Sequence, residues 1–295
     1  MSPYSRPGIL HIVEPAETEE ESASVASLIP GAGRLRFASV GGRTVLTRAL
    51  AVSPLKMLNP ANAGTSAWAY LATYGGGLVG GDALDIEIGV DHRATALVAT
   101  QASTKVYRSE QRASQFLRAH IAAEGALVLL PDPVTCFAGA RYFQEQHVRM
   151  AQAANLVLVD RLTAGRIGSG ERWRFDEYVS RTQIWRGDRL LVHDALHLTP
   201  GEGDLACRMD RFNCLATIMV IGPRLRATAL HLAGALGSAP VPRRAELLLS
   251  AAPVDTDGVL VRLAGESVEQ VSALVRQHLS AVTAILGDDP WSRKW

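Results

Sequence analysis

Residues 75–90 read GGGLVGGDALDIEIGV, and this stretch admits two folds. Gly75, Gly77 and Gly80 satisfy the G-x-G-x-x-G spacing of dinucleotide-binding loops, in which the glycines open a helix whose first N–H groups hold a pyrophosphate. The residues beyond Asp82 are not patterned as a helix. Leu84, Ile86, Ile88 and Val90 alternate with Ala83, Asp85, Glu87 and Gly89, the period of a strand with one buried face. The acidic residue that such a loop needs about 20 positions further on is missing, because that region reads TALVATQ. A phosphate-cradling G-K-[ST] is absent too. The glycines are therefore expected where two backbones approach closely. A nucleotide-binding enzyme remains a rival that stabilisation by NAD or ATP would favour.

Outward from this stretch the strand pattern persists. RLRFASV, GG, RTVLTRALAV over 34–52 is a hairpin signal, two alternating runs about a glycine pair. TALVATQ, ALVLLP, NLVLVD, WRFDEYVSRTQIW and LLVHDALHL are strand-like, and RGD before the last marks a tight turn. CLATIMVIG over 214–222 reads as a buried strand, and the adjoining PRLRATALHLAGALG begins with proline and ends with glycine as a helix does. Val268, Val271, Leu274, Val275, Leu279, Val282 and Leu286 recur at helical spacing, which predicts one long amphipathic helix over 266–286. No internal repeat is evident. The first 30 residues are proline-rich and then acidic, with Glu14, Glu17, Glu19, Glu20 and Glu21 close together, and read as a flexible tail. Residues 31–295 read as one β-rich domain.

Bulk properties remove several classes of function. The 295 residues are 47% hydrophobic, enough for a real core. The 30 basic and 29 acidic residues leave a formal charge of +1 without a basic block, so nucleic acid is not an expected partner. Cys136, Cys207 and Cys214 are odd in number and wrongly spaced for a disulfide framework or a structural zinc. No apolar run reaches the ~18 residues of a membrane span and no secretory leader is recognised, so the expected setting is the cytoplasm.

YGGG at 74–77, GGD at 80–82, TQASTKVYRS at 100–109, LPDPVTCFAGARYFQ at 130–144 and GSGERWRFDEY at 168–178 resemble the urease accessory protein family UreD, also called UreH. The resemblance runs from about residue 34 to the terminal DPWSRKW, and LPDPVTCFAGARY and LVLVDRLTAGR are similar to the eukaryotic branch. It implies a mainly β fold of stacked, β-helix-like layered sheets with two helices in the C-terminal third. It also implies a non-enzymatic scaffold that binds apo-urease, recruits UreF and through it UreG, and helps pass nickel to urease with no tightly bound cofactor.

Passing a divalent ion requires oxygen or nitrogen ligands along a route, each weak enough to release it. Strand parity aims four acids where apolar residues point. Asp82 is in phase with Leu84, Ile86 and Ile88, Asp160 with Leu156 and Leu158, and Asp194 with Leu190, Val192, Leu196 and Leu198; Glu171 is in phase with Trp173 and Phe175. A buried carboxylate must be paired, hydrated, metal-bound or at a strand end. Asp82 could also simply order its glycine turn. The resemblance associates Asp82, Asp160 and Asp194 with an internal tunnel and places Thr104 and Lys105 beside it. Asp82, Asp194 and His193 are the candidate transient nickel ligands. Cys136 could bind soft metal, although free cysteines are usually small buried hydrophobes. His193 and His197 flank Asp194 as HDALH, close to the H-E-x-x-H zinc motif, but that motif needs a helix and a glutamate. A metal-dependent hydrolase using His193, His197 and a carboxylate is the alternative.

Overall fold

Two sheets face each other across the core, and the chain winds from one to the other. In this computed structural model the described residues are 29–237 and 242–292; the acidic tail lies almost wholly outside them. A hairpin of β1 (Ala32–Val40) and β2 (Arg43–Ala51) turns at Gly41 and Gly42, whose φ values of 57° and 79° are those of a primed two-residue turn. After β3 (Leu55–Leu58) the chain makes four coils. The first runs from β4 (Ala67–Thr73) to β5 (Ala83–Val90). The second is β6 (Thr95–Thr100), β7 (Thr104–Val106) and β8 (Ala113–Ile121). The third is β9 (Ala126–Leu130), β10 (Val134–Cys136) and β11 (Arg141–Met150), and the fourth joins β12 (Asn155–Thr163) to β13 (Glu177–Arg186). Strands of successive coils stack in parallel. The first strand of each coil begins at Ala67, Thr95, Ala126 and Asn155, a structural repeat of roughly thirty residues. The sequence shows no such repeat because each rung needs only apolar residues of the right parity.

The ends are closed by antiparallel strands. β14 (Arg189–Leu198) completes a seven-stranded sheet in the order β14-β13-β11-β8-β5-β1-β2. The second sheet runs from β3 through β4, β6, β9 and β12 to β15 (Cys214–Ile221), β17 (Gly258–Gly265) and β16 (Leu247–Val254). A short helix α1 (Leu205–Arg208) precedes β15. Helices α2 (Arg226–Gly237), α3 (Val268–His278) and α4 (Ala281–Leu286) pack on the outer face of the second sheet, the covered sheet. Burial on both faces explains the unbroken apolar runs ALVLL and NLVLV. The seven-stranded open sheet has one wet face and alternates, as β5 does. Between the sheets lie Phe37, Ile86, Leu127, Leu156, Leu158 and Tyr142; beneath the helices lie Trp68, Val159, Ile218, Val261, Val275 and Leu286.

Three local expectations are corrected. The helix predicted over 266–286 is broken at Leu279 and Ser280 into α3 and α4, an arrangement that buries Val271 and Val275 together with Val282 and Leu286. The strand predicted from Trp173 starts only at Glu177, and Trp173 itself has φ 54°. A bulge opposite Ile184 and Trp185 shifts the register of β14, so Leu191 rather than Leu190 shares the inner face of Val192, and Leu190 is exposed.

The far ends of the two sheets are tied by charge. Arg186 of β13 is almost fully buried and donates to Asp255 at 2.9 Å and to Asp257 at 2.8 Å, both in the turn between β16 and β17. Arg189 also pairs with Asp255.

Candidate functional site

The glycine stretch is a backbone crossing. The Leu78 N–H donates to the Lys105 carbonyl at 2.8 Å and the Tyr107 N–H returns to the Leu78 carbonyl at 2.9 Å. A Cβ on Gly77 would lie 2.7 Å from the Lys105 carbonyl oxygen, and one on Gly80 would lie 2.7 Å from that of Gln111. Only glycine allows the strands this close. Asp82 orders the turn: the Val79 N–H donates to its carboxylate at 2.8 Å while its own N–H donates to the Val79 carbonyl at 3.1 Å. The chain then enters β5, not a helix, so the geometry of a pyrophosphate loop is absent.

A polar seam runs between the sheets. It begins in a cavity of about 100 Å³ lined by Thr73, Gly76, Thr100, Ser103, Thr104 and Gln115, among others. Thr100, Thr104, Gln115 and Leu71 also line a second cavity of about 40 Å³ that reaches Tyr142, Gln144, Gln146 and Asp160. That volume is enough for ordered water. The Tyr142 hydroxyl is buried without a protein partner among the described residues. Gln144 donates through Nε2 to the Asp160 carboxylate at 2.7 Å, and the Ser180 hydroxyl donates to the same oxygen at 2.9 Å. Gln146 reaches Thr182 at 3.5 Å, whose cross-strand partner is Asp194. Asp194 pairs with Arg262 of the covered sheet, closing the seam at its other end.

Strand parity explains this alignment. Gln144 and Gln146 alternate with outward residues and share the inner face of Tyr142, Val148 and Met150. Asp160 continues the inner face of Leu156 and Leu158, while the next residue, Arg161, faces the helices. Asp160 keeps some surface toward the cavity and is otherwise enclosed. Burial pushes its carboxyl above the usual range; the hydrogen bonds from Gln144 and Ser180 oppose this, and the charge of Asp194 adds to it.

Of the residues singled out in the sequence, the seam brings together Thr104, Asp160 and Asp194. Four stand apart. Asp82 holds its turn, and Lys105 is exposed with only its carbonyl in the crossing. Glu171 lies in the irregular segment before β13, outside any strand, so parity does not apply to it. It pairs with Arg166 and accepts from the Ala138 N–H at 3.1 Å; those two contacts, Arg166 first, hold its carboxyl below the ordinary range. His193 and His197 lie exposed on the outer face of β14, with His197 3.6 Å from Glu177. Among the described residues no group of three His, Cys, Asp or Glu could hold a metal ion, which leaves the hydrolase reading without a site. Cys136 is fully buried and burial pushes its thiol far up, so it is a core residue rather than a thiolate ligand. The sequence reading missed Gln115, Gln144, Gln146, Ser180 and Thr182. Their signal was parity, the same that exposed the acids.

The family model of the UreD urease accessory protein matches residues 30–295. A urease accessory protein UreD of Sorangium cellulosum is 51% identical over 90% of this chain and 84% of its own length. One from an Anaeromyxobacter species is 42% identical over 97% of both chains. A rice urease accessory protein D is 34% identical over 92% of this chain and 99% of its own length. The chain belongs to the UreD family of urease accessory proteins. Among the described residues no helix is long and apolar enough to cross a membrane.

Proposed function

We propose that this chain is a nickel-insertion scaffold that docks on apo-urease through one surface and on UreF through another, with UreG joining through UreF. Nickel is transient cargo that crosses the polar seam toward the urease active site. The chain performs no covalent chemistry of its own and works in the cytoplasm, where three unpaired cysteines stay reduced. Thr104, Asp160 and Asp194 mark the route; Asp82, Lys105, Glu171 and His193 contribute at most at its approaches.

The observation that supports this reading is the pair of cavities with shared walls, leading from Thr104 to Asp160. Their oxygen donors are amides, hydroxyls and the carboxylates of Asp132 and Asp160. Such sparse hard ligands hold a late first-row cation weakly, which lets it leave. The carboxylate at the narrow point supplies the attraction that draws a cation into a poorly hydrated space.

The test is the double variant Asp160→Asn with Asp194→Asn, co-expressed with urease and the other accessory proteins. Both changes keep side-chain shape and remove charge. Assembly should persist while the nickel content of purified urease falls several-fold. Fully metallated urease in that strain would overturn the route and leave the scaffold role standing.

A further inference from the structure

On the other side of the covered sheet, a pocket of about 300 Å³ lies between β6, β9 and β12 and helix α3. Its floor and walls are largely apolar, with Leu97, Leu130, Val159 and Val275, and Trp291 stands at one side. Into this apolar space the fold places two guanidinium groups. Arg161 extends from β12 with its side chain only 11% exposed. It donates to the Pro131 carbonyl at 2.8 Å and to Ser272 at 3.4 Å, and Asp132 stands off at 3.7 Å. Its Nε is buried with no partner among the described residues. Arg276, one turn beyond Ser272 on α3, lines the same pocket and is exposed.

A buried guanidinium with an unmet donor is costly unless a further acceptor completes it. Two guanidinium groups against apolar walls call for an anionic group. The planar fork of arginine matches a carboxylate, and apolar walls demand a hydrophobic body on the ligand. We infer that this pocket binds a carboxylate with an apolar or aromatic body, its anionic end on Arg161 and Arg276 and its body against Leu97, Val159, Val275 and Trp291.

The pocket also shares walls with the seam. Ala99 and Asp132 line both this pocket and the cavity at Asp160, and the Thr100 hydroxyl accepts from the Asp132 N–H at 2.7 Å. An occupant would therefore sit one strand thickness from the route.

Two sources carry this chemistry, a small organic acid and the terminal carboxylate of a protein chain. Isothermal titration of the full chain with benzoate, benzamide, N-acetyl-leucyl-phenylalanine and the amide of that peptide separates them. Benzoate should bind with a Kd of about 1 mM or tighter and benzamide should not. Binding of the peptide acid but not its amide identifies a chain terminus; binding of benzoate with neither peptide identifies a small acid. Arg276→Ala, at an exposed position that folding tolerates, should weaken binding about tenfold, the loss of one charge-assisted contact. Arg161→Gln should abolish it. Absence of binding by both acids, equal binding of benzamide, or a Kd indifferent to Arg276→Ala would each overturn the assignment.

Discussion

Arg186 is the sharpest place to test how the two sheets are held in register at their far end. Its side chain is 6% exposed and serves two carboxylates, with Asp257 itself only 11% exposed. Arg186→Met keeps much of the volume but strands Asp257 beside an apolar stem. Removing one partner of a buried pair costs about 3–5 kcal/mol, because the remaining charge is left desolvated. At about 2–4 °C per kcal/mol for a domain near this size, Tm should fall by about 6–20 °C. Asp255 keeps Arg189 and softens the loss toward the lower end. The double variant Arg186→Met with Asp257→Leu removes both charges and should recover most of the stability, since apolar replacements of buried pairs are often neutral or better. Urea unfolding of wild type, both single variants and the double gives a coupling energy, expected at about 2 kcal/mol or more. A single-variant loss below about 1 kcal/mol, the size of an ordinary surface substitution, would refute the view that the clamp bears on sheet alignment.

Two other sites yield measurable expectations. Because burial raises the Asp160 carboxyl, its contribution to stability is full below the unfolded value and is lost as pH rises through the folded one. Asp160→Asn should therefore match wild type near pH ~4 and exceed it near pH ~7; parallel unfolding profiles across that range would contradict an enclosed carboxylate. Gly77→Ala, which meets the Lys105 carbonyl at 2.7 Å, should cost about 2 kcal/mol or more. Gly75→Ala, with open space around it and φ 77°, should cost only the roughly 1 kcal/mol of a left-handed backbone, and equal losses measured by thermal melting would argue against a tight crossing.

The sequence disclosed most where one physical rule acted alone. Leu84, Ile86 and Ile88 alternate and are buried as their parity requires. The unbroken run of β12 meets a helix layer on one side and the core on the other. Asp160 and Asp194 lie inward for the same reason. Where rules competed, parity misled. The bulge in β14 turned Leu190 outward, a register change that no residue in LLVHDALHL announces. Glu171 was credited to a strand that begins six residues later, because the positive φ of Trp173 is invisible in a list of strand-forming residues. The coil repeat escaped notice because stacking constrains hydrophobicity and length, not identity. Gln144 and Gln146 were legible in principle, but glutamine in an alternating strand is normally assigned to water, and only the opposing Asp160 and Ser180 make it an interior residue.

The interruptions in pairing at the two margins of the open sheet bear on solubility. A stack of parallel rungs is an open-ended template, and an unprotected terminal rung would invite another molecule to continue it into a fibre. Here each margin ends in a strand of opposite direction with a slip in its ladder, at Arg36 and Phe37 on one side and at Ile184 and Trp185 on the other. A newcomer would meet a twisted, mismatched row of donors and acceptors that opposes further pairing.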